Sequence, residues 1–287
     1  MHGQSLITLI LMVFVAVTCI VIGDTAGKLM TSGGVDPGLV AWSRFLIAAL
    51  VLLPFSGLHV TELPLLFGWR VALRAFVIAG GIFCILTALK TEPIANVFGA
   101  FFVGPVVSYV LAIVFLRERP SRARTLLLGL GFLGVMLVVK PGFGVSRGMM
   151  FALTAGVSYG AYLTLTRAVA GGYRPRFLLI SQLVIGAVIL TPVGVSAEMP
   201  AVSPGLGGLI LISAFGSAAG NFLLVIANKR AEASLVAPLV YTQLISATVM
   251  GVVVFGDWPD ALSFLGLGLI AASGVGTLLV THKRAAP

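Results

Sequence analysis

The sequence repeats itself once, and each copy carries an odd number of apolar spans. Asp36-Pro37 lies over Arg174-Pro175, a displacement of 138 residues that also brings Gly34 onto Gly172, Ser43 onto Ser181 and Pro54 onto Pro192. Further along the displacement is 139: Ala88 meets Ala227, Lys90 meets Lys229, Glu118 meets Asp257, Pro120 meets Pro259 and Gly129 meets Gly268. Five spans per copy force the second copy to cross a bilayer in the opposite sense to the first. Two inverted halves with a binding site between them are the layout of a transporter scaffold.

The spans are Leu6–Gly23, Pro37–Pro54, Leu73–Leu89, Ile94–Phe115, Thr125–Val139, Met149–Leu165, Phe177–Thr191, Leu206–Ala227, Leu235–Phe255 and Leu262–Thr281. Each approaches the roughly 20 apolar residues that cross a bilayer as a helix. Hydrophobic residues make up 59% of the chain and charged residues 9%, too few to coat a soluble globule. The expected fold is an all-α polytopic membrane protein: ten transmembrane helices as two inverted five-helix repeats, residues 1–146 and 147–287. A β-barrel is excluded, because runs such as Leu206–Ala227 do not alternate polar and apolar residues. Leu6–Gly23 reads as a retained helix, since Met1-His2-Gly3-Gln4 lacks the basic start of a signal peptide. Cys19 and Cys84 both sit in apolar spans, where they act as small apolar residues rather than as a disulfide or metal site.

A net charge of +9 could suggest nucleic acid, but its distribution points to topology. With both termini cytoplasmic, the cytoplasmic loops hold Arg70, Arg74, Arg117, Arg119, Arg122, Arg124, Arg167, Arg174, Arg176, Lys229, Arg230, Lys283 and Arg284. The other side holds Lys28, Lys90, Lys140 and Arg147, and Arg44 lies within the second span. This bias follows the positive-inside rule and predicts a multi-pass membrane protein with both termini cytoplasmic. The partners expected are the lipid bilayer and a small-molecule substrate, with no nucleic acid; oligomeric state stays open. Glycines within spans let helices approach closely in lipid. Gly129-Leu130-Gly131-Phe132-Leu133-Gly134 is such a surface. It matches G-x-G-x-x-G but lacks the strand–turn–helix setting of a dinucleotide site. No Walker A motif is present, no cofactor is expected, and no cluster of titratable groups suits an enzyme.

Eight of the nine acids sit at span ends or in loops and read as interfacial caps. Asp24 is the exception. It can pair with Lys28 four residues on, and with Arg44, or it can titrate on a transport path. Arg44 either snorkels outward or pairs across helices; in the second copy its place is taken by Gln182. Candidate solute contacts form polar and aromatic stripes. The eighth span carries Ser213, Ser217 and Asn221; the sixth, Tyr159 and Tyr162; the ninth, Tyr241, Thr242, Gln243 and Ser246 after Pro238; the fourth, Asn96, Phe98, Phe101 and Phe102 before Pro105. Phe102 and Tyr241 occupy equivalent places in the two copies. Polar groups facing lipid would go unpaired, so the stripes should face protein or a wet cavity. Pro105 and Pro238 each free a backbone carbonyl, a local break of the kind that lines a site.

Several motifs resemble the drug/metabolite transporter superfamily, in particular its ten-helix EamA-type members. Trp42-Ser43-Arg44-Phe45-Leu46-Ile47-Ala48-Ala49 is similar to the R-F-hydrophobic-A signature of the second helix. Gly104-Pro105 followed by Phe115-Leu116-Arg117-Glu118-Arg119-Pro120 resembles P…F-L-x-E-R/K, and Gly129 to Val135 the fifth-helix glycine pattern. The first-helix W-G pair is absent, with Ile22-Gly23-Asp24 in its place, and the second acidic motif reads Phe255-Gly256-Asp257-Trp258-Pro259. The resemblance implies a bacterial inner-membrane exporter with a central cavity between the two halves, lined by helices one, three, four, six, eight and nine, most similar to exporters of aromatic and neutral amino acids. The leading expectation is therefore amino-acid export by alternating access, as a uniporter. The alternatives are a drug or metabolite exporter coupled to protons through Asp24, a passive channel, and, in a different class, a membrane-embedded scaffold or lipid-carrier enzyme.

Overall fold

The computed structural model describes residues 3–92, 94–139, 146–198, 200–201, 203–256 and 258–285; among them there is no strand. The helices are α1 (Gly3–Ser32), α2 (Pro37–Leu52), the short α3 (Leu63–Leu66), α4 (Trp69–Thr91), α5 (Ile94–Phe101), α6 (Val103–Leu116) and α7 (Arg122–Val139) in the first half. The second half has α8 (Arg147–Ala170), α9 (Pro175–Ser196), α10 (Pro204–Arg230), α11 (Ala233–Val240), α12 (Gln243–Met250) with a π-helical end at Gly251–Phe255, and α13 (Ala261–Ala285). Among the described residues, six stretches are long and apolar enough to cross a membrane, and Pro37–Leu52, Val103–Leu116 and Ala261–Thr277 are shorter apolar helices. With α5–α6 and α11–α12 each making one broken crossing, the fold is the expected set of ten helices in two inverted repeats. The face where α1 starts and α13 ends is here the terminal face; the other is the far face.

Helix starts follow local chemistry. Asp36 Oδ1 accepts from the N–H of Gly38 (2.7 Å) and Leu39 (3.4 Å) at the start of α2, with Pro37 supplying a pre-set φ. Ser146 and Ser203 cap α8 and α10 in the same way. The caps expected of the acids extend to Glu118. Its carboxylate accepts from Ala233 N (3.0 Å) and Ser234 N (2.9 Å), closing the start of α11, while Asp260 caps α13 through Ser263 N (2.9 Å). Asp257, the repeat partner of Glu118, lies outside the described residues.

Helix pairing obeys the repeat. α1 packs along α10 and α4 along α8, two contacts that the repeat exchanges; α2 packs on α9 and α7 on α13, two contacts that it maps onto themselves. Small residues set these crossings. A β-carbon on Gly216 would lie 2.8 Å from the Cys19 carbonyl oxygen, and one on Gly134 would lie 2.7 Å from that of Gly266. Phe45 and Trp42 of α2 lie against Gly186 and Gly194 of α9. The small-residue surface at Gly129–Gly134 is thus used at Gly131, which faces Tyr241 and Ser273, and at Gly134.

Polarity is distributed inside out. Leu50, Val114, Phe115, Leu126, Val188 and Val195 are exposed, whereas Arg44, Arg74, Gln182, Asn221 and Gln243 are buried. In lipid this is the favourable arrangement, because the hydrocarbon takes apolar side chains and the bundle supplies partners for polar ones. One expectation is corrected here. Arg74 is no loop residue: α4 begins at Trp69, and Arg74 is fully buried one turn in. The apolar run from Leu73 hid this start, because α4 opens with Trp69-Arg70-Val71 on a partly polar turn.

Candidate functional site

Spans four and nine are broken where expected. Phe102 separates α5 from α6, and Tyr241-Thr242 separate α11 from α12. Pro105 cannot donate to the Phe101 carbonyl, whose oxygen lies against Gly156 of α8, where a β-carbon would come within 2.5 Å. The two aromatic residues at equivalent breaks touch: the rings of Phe102 and Tyr241 stand edge to face at 5.9 Å. A contact between repeat-related residues lies on the pseudo-two-fold axis, and both rings are fully buried there. Aromatic contacts continue from Phe102 to Phe98 (5.9 Å) and Phe101 (5.8 Å), from Phe101 to Tyr159 (5.0 Å) and from Tyr159 to Tyr162 (6.3 Å).

Beside this chain of rings lies a small cavity of about 30 Å³, lined by Asp24, Arg44, Tyr159, Ser217 and Asn221 together with Ile78, Ile82 and Phe101. Its walls differ. Ser217 and Asn221 of α10 face one side; their repeat equivalents on α4 are Ile78 and Ile82, which line the same cavity. Arg44 crosses to α1 and α10, giving hydrogen bonds to Asp24 Oδ1 (2.8 Å), the Gly23 carbonyl (3.0 Å) and Ser213 Oγ (3.0 Å). Pairing across helices, not snorkelling, is the outcome for Arg44. The Tyr159 hydroxyl and Asn221 Oδ1 are buried without a protein hydrogen-bond partner.

The other candidates are placed differently. Tyr162 is buried and binds Gln182 (3.0 Å) and Arg74 (3.1 Å). Lys28 Nζ stands 5.9 Å over the Phe255 ring near the far end of α1. Tyr241 and Gln243 are buried in span nine, and the Tyr241 hydroxyl and both Gln243 amide atoms lack partners. Ser246 shares a 2.7 Å hydrogen bond with Thr18 of α1. These three do not line the cavity. The Asn96 side chain lies outside the described residues. Arg167, set against Leu29 by the repeat, ties the carbonyl of Asn228 (2.9 Å) instead of reaching the cavity, and Gly104, set against Gln243, is a helix-crossing point against Gly156. A wider apolar groove of about 320 Å³ between α2, α9 and α10 has Arg176 at its rim but none of the unpaired polar atoms.

Sequence reasoning missed Arg74. Its guanidinium gives hydrogen bonds to Thr166 Oγ1 (2.8 Å), the Leu178 carbonyl (2.8 Å), Tyr162 Oη (3.1 Å) and Gln182 Oε1 (2.7 Å). A signal was available: the displacement of 139 places Arg74 over Ser213, and Gln182 already stood over Arg44.

Comparison with known proteins accords with this geometry. The model of the EamA-like transporter family matches residues 7–140 and again 146–279. A riboflavin transporter of Rhizobium johnstonii is 24% identical over 237 residues, covering 82% of this chain and 78% of that one. An S-adenosylmethionine uptake transporter of Rickettsia bellii is 24% identical over 254 residues, covering 85% and 84%. A solved crystal structure superposes with a TM-score of 0.78 at 19% identity, over 98% of this chain and 99% of its own, a likeness of fold.

Proposed function

Since the chain belongs to the EamA-like transporter family and is a multi-pass membrane transporter of small metabolites, we propose that its solute is a zwitterion with an apolar part, an amino acid of the aromatic or neutral class, carried by alternating access. The observation that carries this reading is the two-sided cavity. The Asp24–Arg44 pair and the free Tyr159 and Asn221 groups suit an ammonium and a carboxylate, while Ile78, Ile82 and Phe101 suit an apolar side chain. Residues 1–146 and 147–287 are the two bodies that rock around it. Asp24 is already neutralised by Arg44, which favours uniport over proton antiport. A carrier without a coupled ion runs down its solute's gradient, so export needs only a higher concentration inside. The setting proposed is a bacterial inner membrane with both termini cytoplasmic, following the charge bias of the loops.

The test is flux in proteoliposomes with radiolabelled phenylalanine and threonine, beside riboflavin and S-adenosylmethionine, the solutes for which two relatives are named. Amino-acid flux should exceed that of empty liposomes and fall in Asn221→Ala with the yield of folded protein unchanged. Flux of riboflavin or S-adenosylmethionine with none of any amino acid overturns the substrate class. A second reading, proton coupling, draws on the position of Asp24 on the cavity. It requires that Asp24→Asn lose the response to a pH gradient while keeping counterflow.

A further inference from the structure

Two clusters of buried polar side chains tie one half of the chain to the other, and the repeat carries one onto the other. The first is Asp24 of α1, Arg44 of α2 and Ser213 of α10. The second is Tyr162 of α8, Gln182 of α9 and Arg74 of α4. The displacement of 138 takes Asp24 to Tyr162 and Arg44 to Gln182, and that of 139 takes Arg74 to Ser213. The same three backbone positions are therefore used twice, and the first copy supplies both arginines, one from its second helix and one from its third.

The clusters lie towards opposite faces. Arg44 is seven residues from the far-face start of α2, about 10 Å at 1.5 Å per residue, and Arg74 is five residues from the terminal-face start of α4, about 8 Å. The cavity lies between them. Along α4 the residues inward of Arg74 are Ile78 and Ile82, and along α10 those inward of Ser213 are Ser217 and Asn221; all four line the cavity. Both clusters are closed, and both span the halves: Arg44 reaches Ser213, and Arg74 reaches α8 and α9.

We propose that these clusters are paired latches, one towards each membrane face, and that each half of the transport cycle opens one while the other stays shut. The proposal rests on the alternating-access reading above. The conformation with both latches closed is the occluded form. The latches differ chemically in a way the cycle can use: the far one contains an ion pair, whereas the four acceptors of Arg74 are all neutral. Opening the terminal-face latch therefore separates no carboxylate from its arginine. Water or the carboxylate of an arriving solute replaces neutral acceptors.

The test uses a background with Cys19→Ala and Cys84→Ala, which removes both cysteines of the chain, and Ser217→Cys as a reporter on the cavity wall. Labelling by a membrane-impermeant methanethiosulfonate is timed from each face in right-side-out and inverted vesicles, the faces being assigned by a carboxy-terminal tag. Arg74→Ala should speed labelling from the terminal face about tenfold, the shift produced by about 1.4 kcal/mol, without speeding it from the far face. Arg44→Ala should do the reverse. Gln182→Ala keeps the arginine and should act in the direction of Arg74→Ala with smaller size, which covers failure of Arg74→Ala to fold. Equal acceleration from both faces, or none in any variant, overturns the latches. Counterflow of labelled solute by the unsubstituted protein in matched vesicles separates the two readings. If counterflow is absent, the carrier reading fails; if it persists while labelling has no sidedness, only the latches fail.

Discussion

At the scale of single residues, neighbouring buried polar groups divide into those bonded within the bundle and those with no partner in it. Tyr159 and Tyr162 are stacked neighbours with opposite roles. The Tyr159 hydroxyl has no protein partner, whereas that of Tyr162 is engaged with Arg74 and Gln182. Tyr159→Phe should raise the KM for the transported solute about five- to tenfold, the loss of one hydrogen bond of about 1 kcal/mol, and leave the melting temperature in detergent unchanged. Tyr162→Phe should lower the melting temperature instead. Both are read in one thermal-shift and flux series. The Asp24–Arg44 pair adds a second expectation. Arg44→Leu leaves a buried carboxylate without its cation and should destabilise by ~3–5 kcal/mol, while Asp24→Asn with Arg44→Gln should recover much of that loss. Equal melting temperatures for Arg44→Leu and the double variant would refute the pairing as a stability element.

At the scale of elements, close approach and helix ends decide the packing. Gly216 of α10 lies against backbone atoms of Cys19 and Gly23, which cannot move aside as a side chain can. Gly216→Leu should therefore force α1 from α10 and cost at least the ~1–3 kcal/mol of an overpacked core, lowering the yield of folded protein. Gly208→Ala, on the same helix with nothing within 4 Å, is the control and should be neutral. Glu118 joins the end of the first half's fourth span to the start of α11, and Glu118→Ala leaves two helix-start N–H groups without their acceptor. A loss of about 1–2 kcal/mol is expected, measured by thermal shift. The breaks at Phe102 and Tyr241 were legible from Pro105 and Pro238, because a proline always removes a donor. That the two broken helices meet at Phe102–Tyr241 was not legible, since it depends on how the halves dock.

At the scale of the whole molecule, loops clamp the halves as well. Arg174, at the start of α9, grips Glu62 with two hydrogen bonds (3.0 and 2.5 Å) and the Gly57 carbonyl at 2.8 Å. This pairing holds the Glu62 carboxyl below its ordinary range. A depressed folded value means that the contribution is complete above the unfolded pKa, about 4.3, and is lost as pH falls through the folded one. Glu62→Gln should melt below the parent protein at pH 7, and the two curves should converge on acidification below the usual carboxylate range. Curves that stay parallel across that range would exclude Glu62 as the titrating clamp.

The linear pattern determined the number of crossings, their inversion, the cap at Asp36 and which spans carry buried polar stripes. Those properties depend on local periodicity, on proline and on the inability of lipid to satisfy polar groups, all of which operate within one span. Tertiary structure alone decided which polar residues share a cavity. Ser217 and Asn221 face it while Gln243 and Ser246 do not, although all four stand in similar polar stripes. It also decided that Arg74, counted with the loops by its neighbours in sequence, is buried between α4, α8 and α9. The reason is geometric: a stripe specifies a helix face, but only the docking of two inverted halves specifies what that face meets.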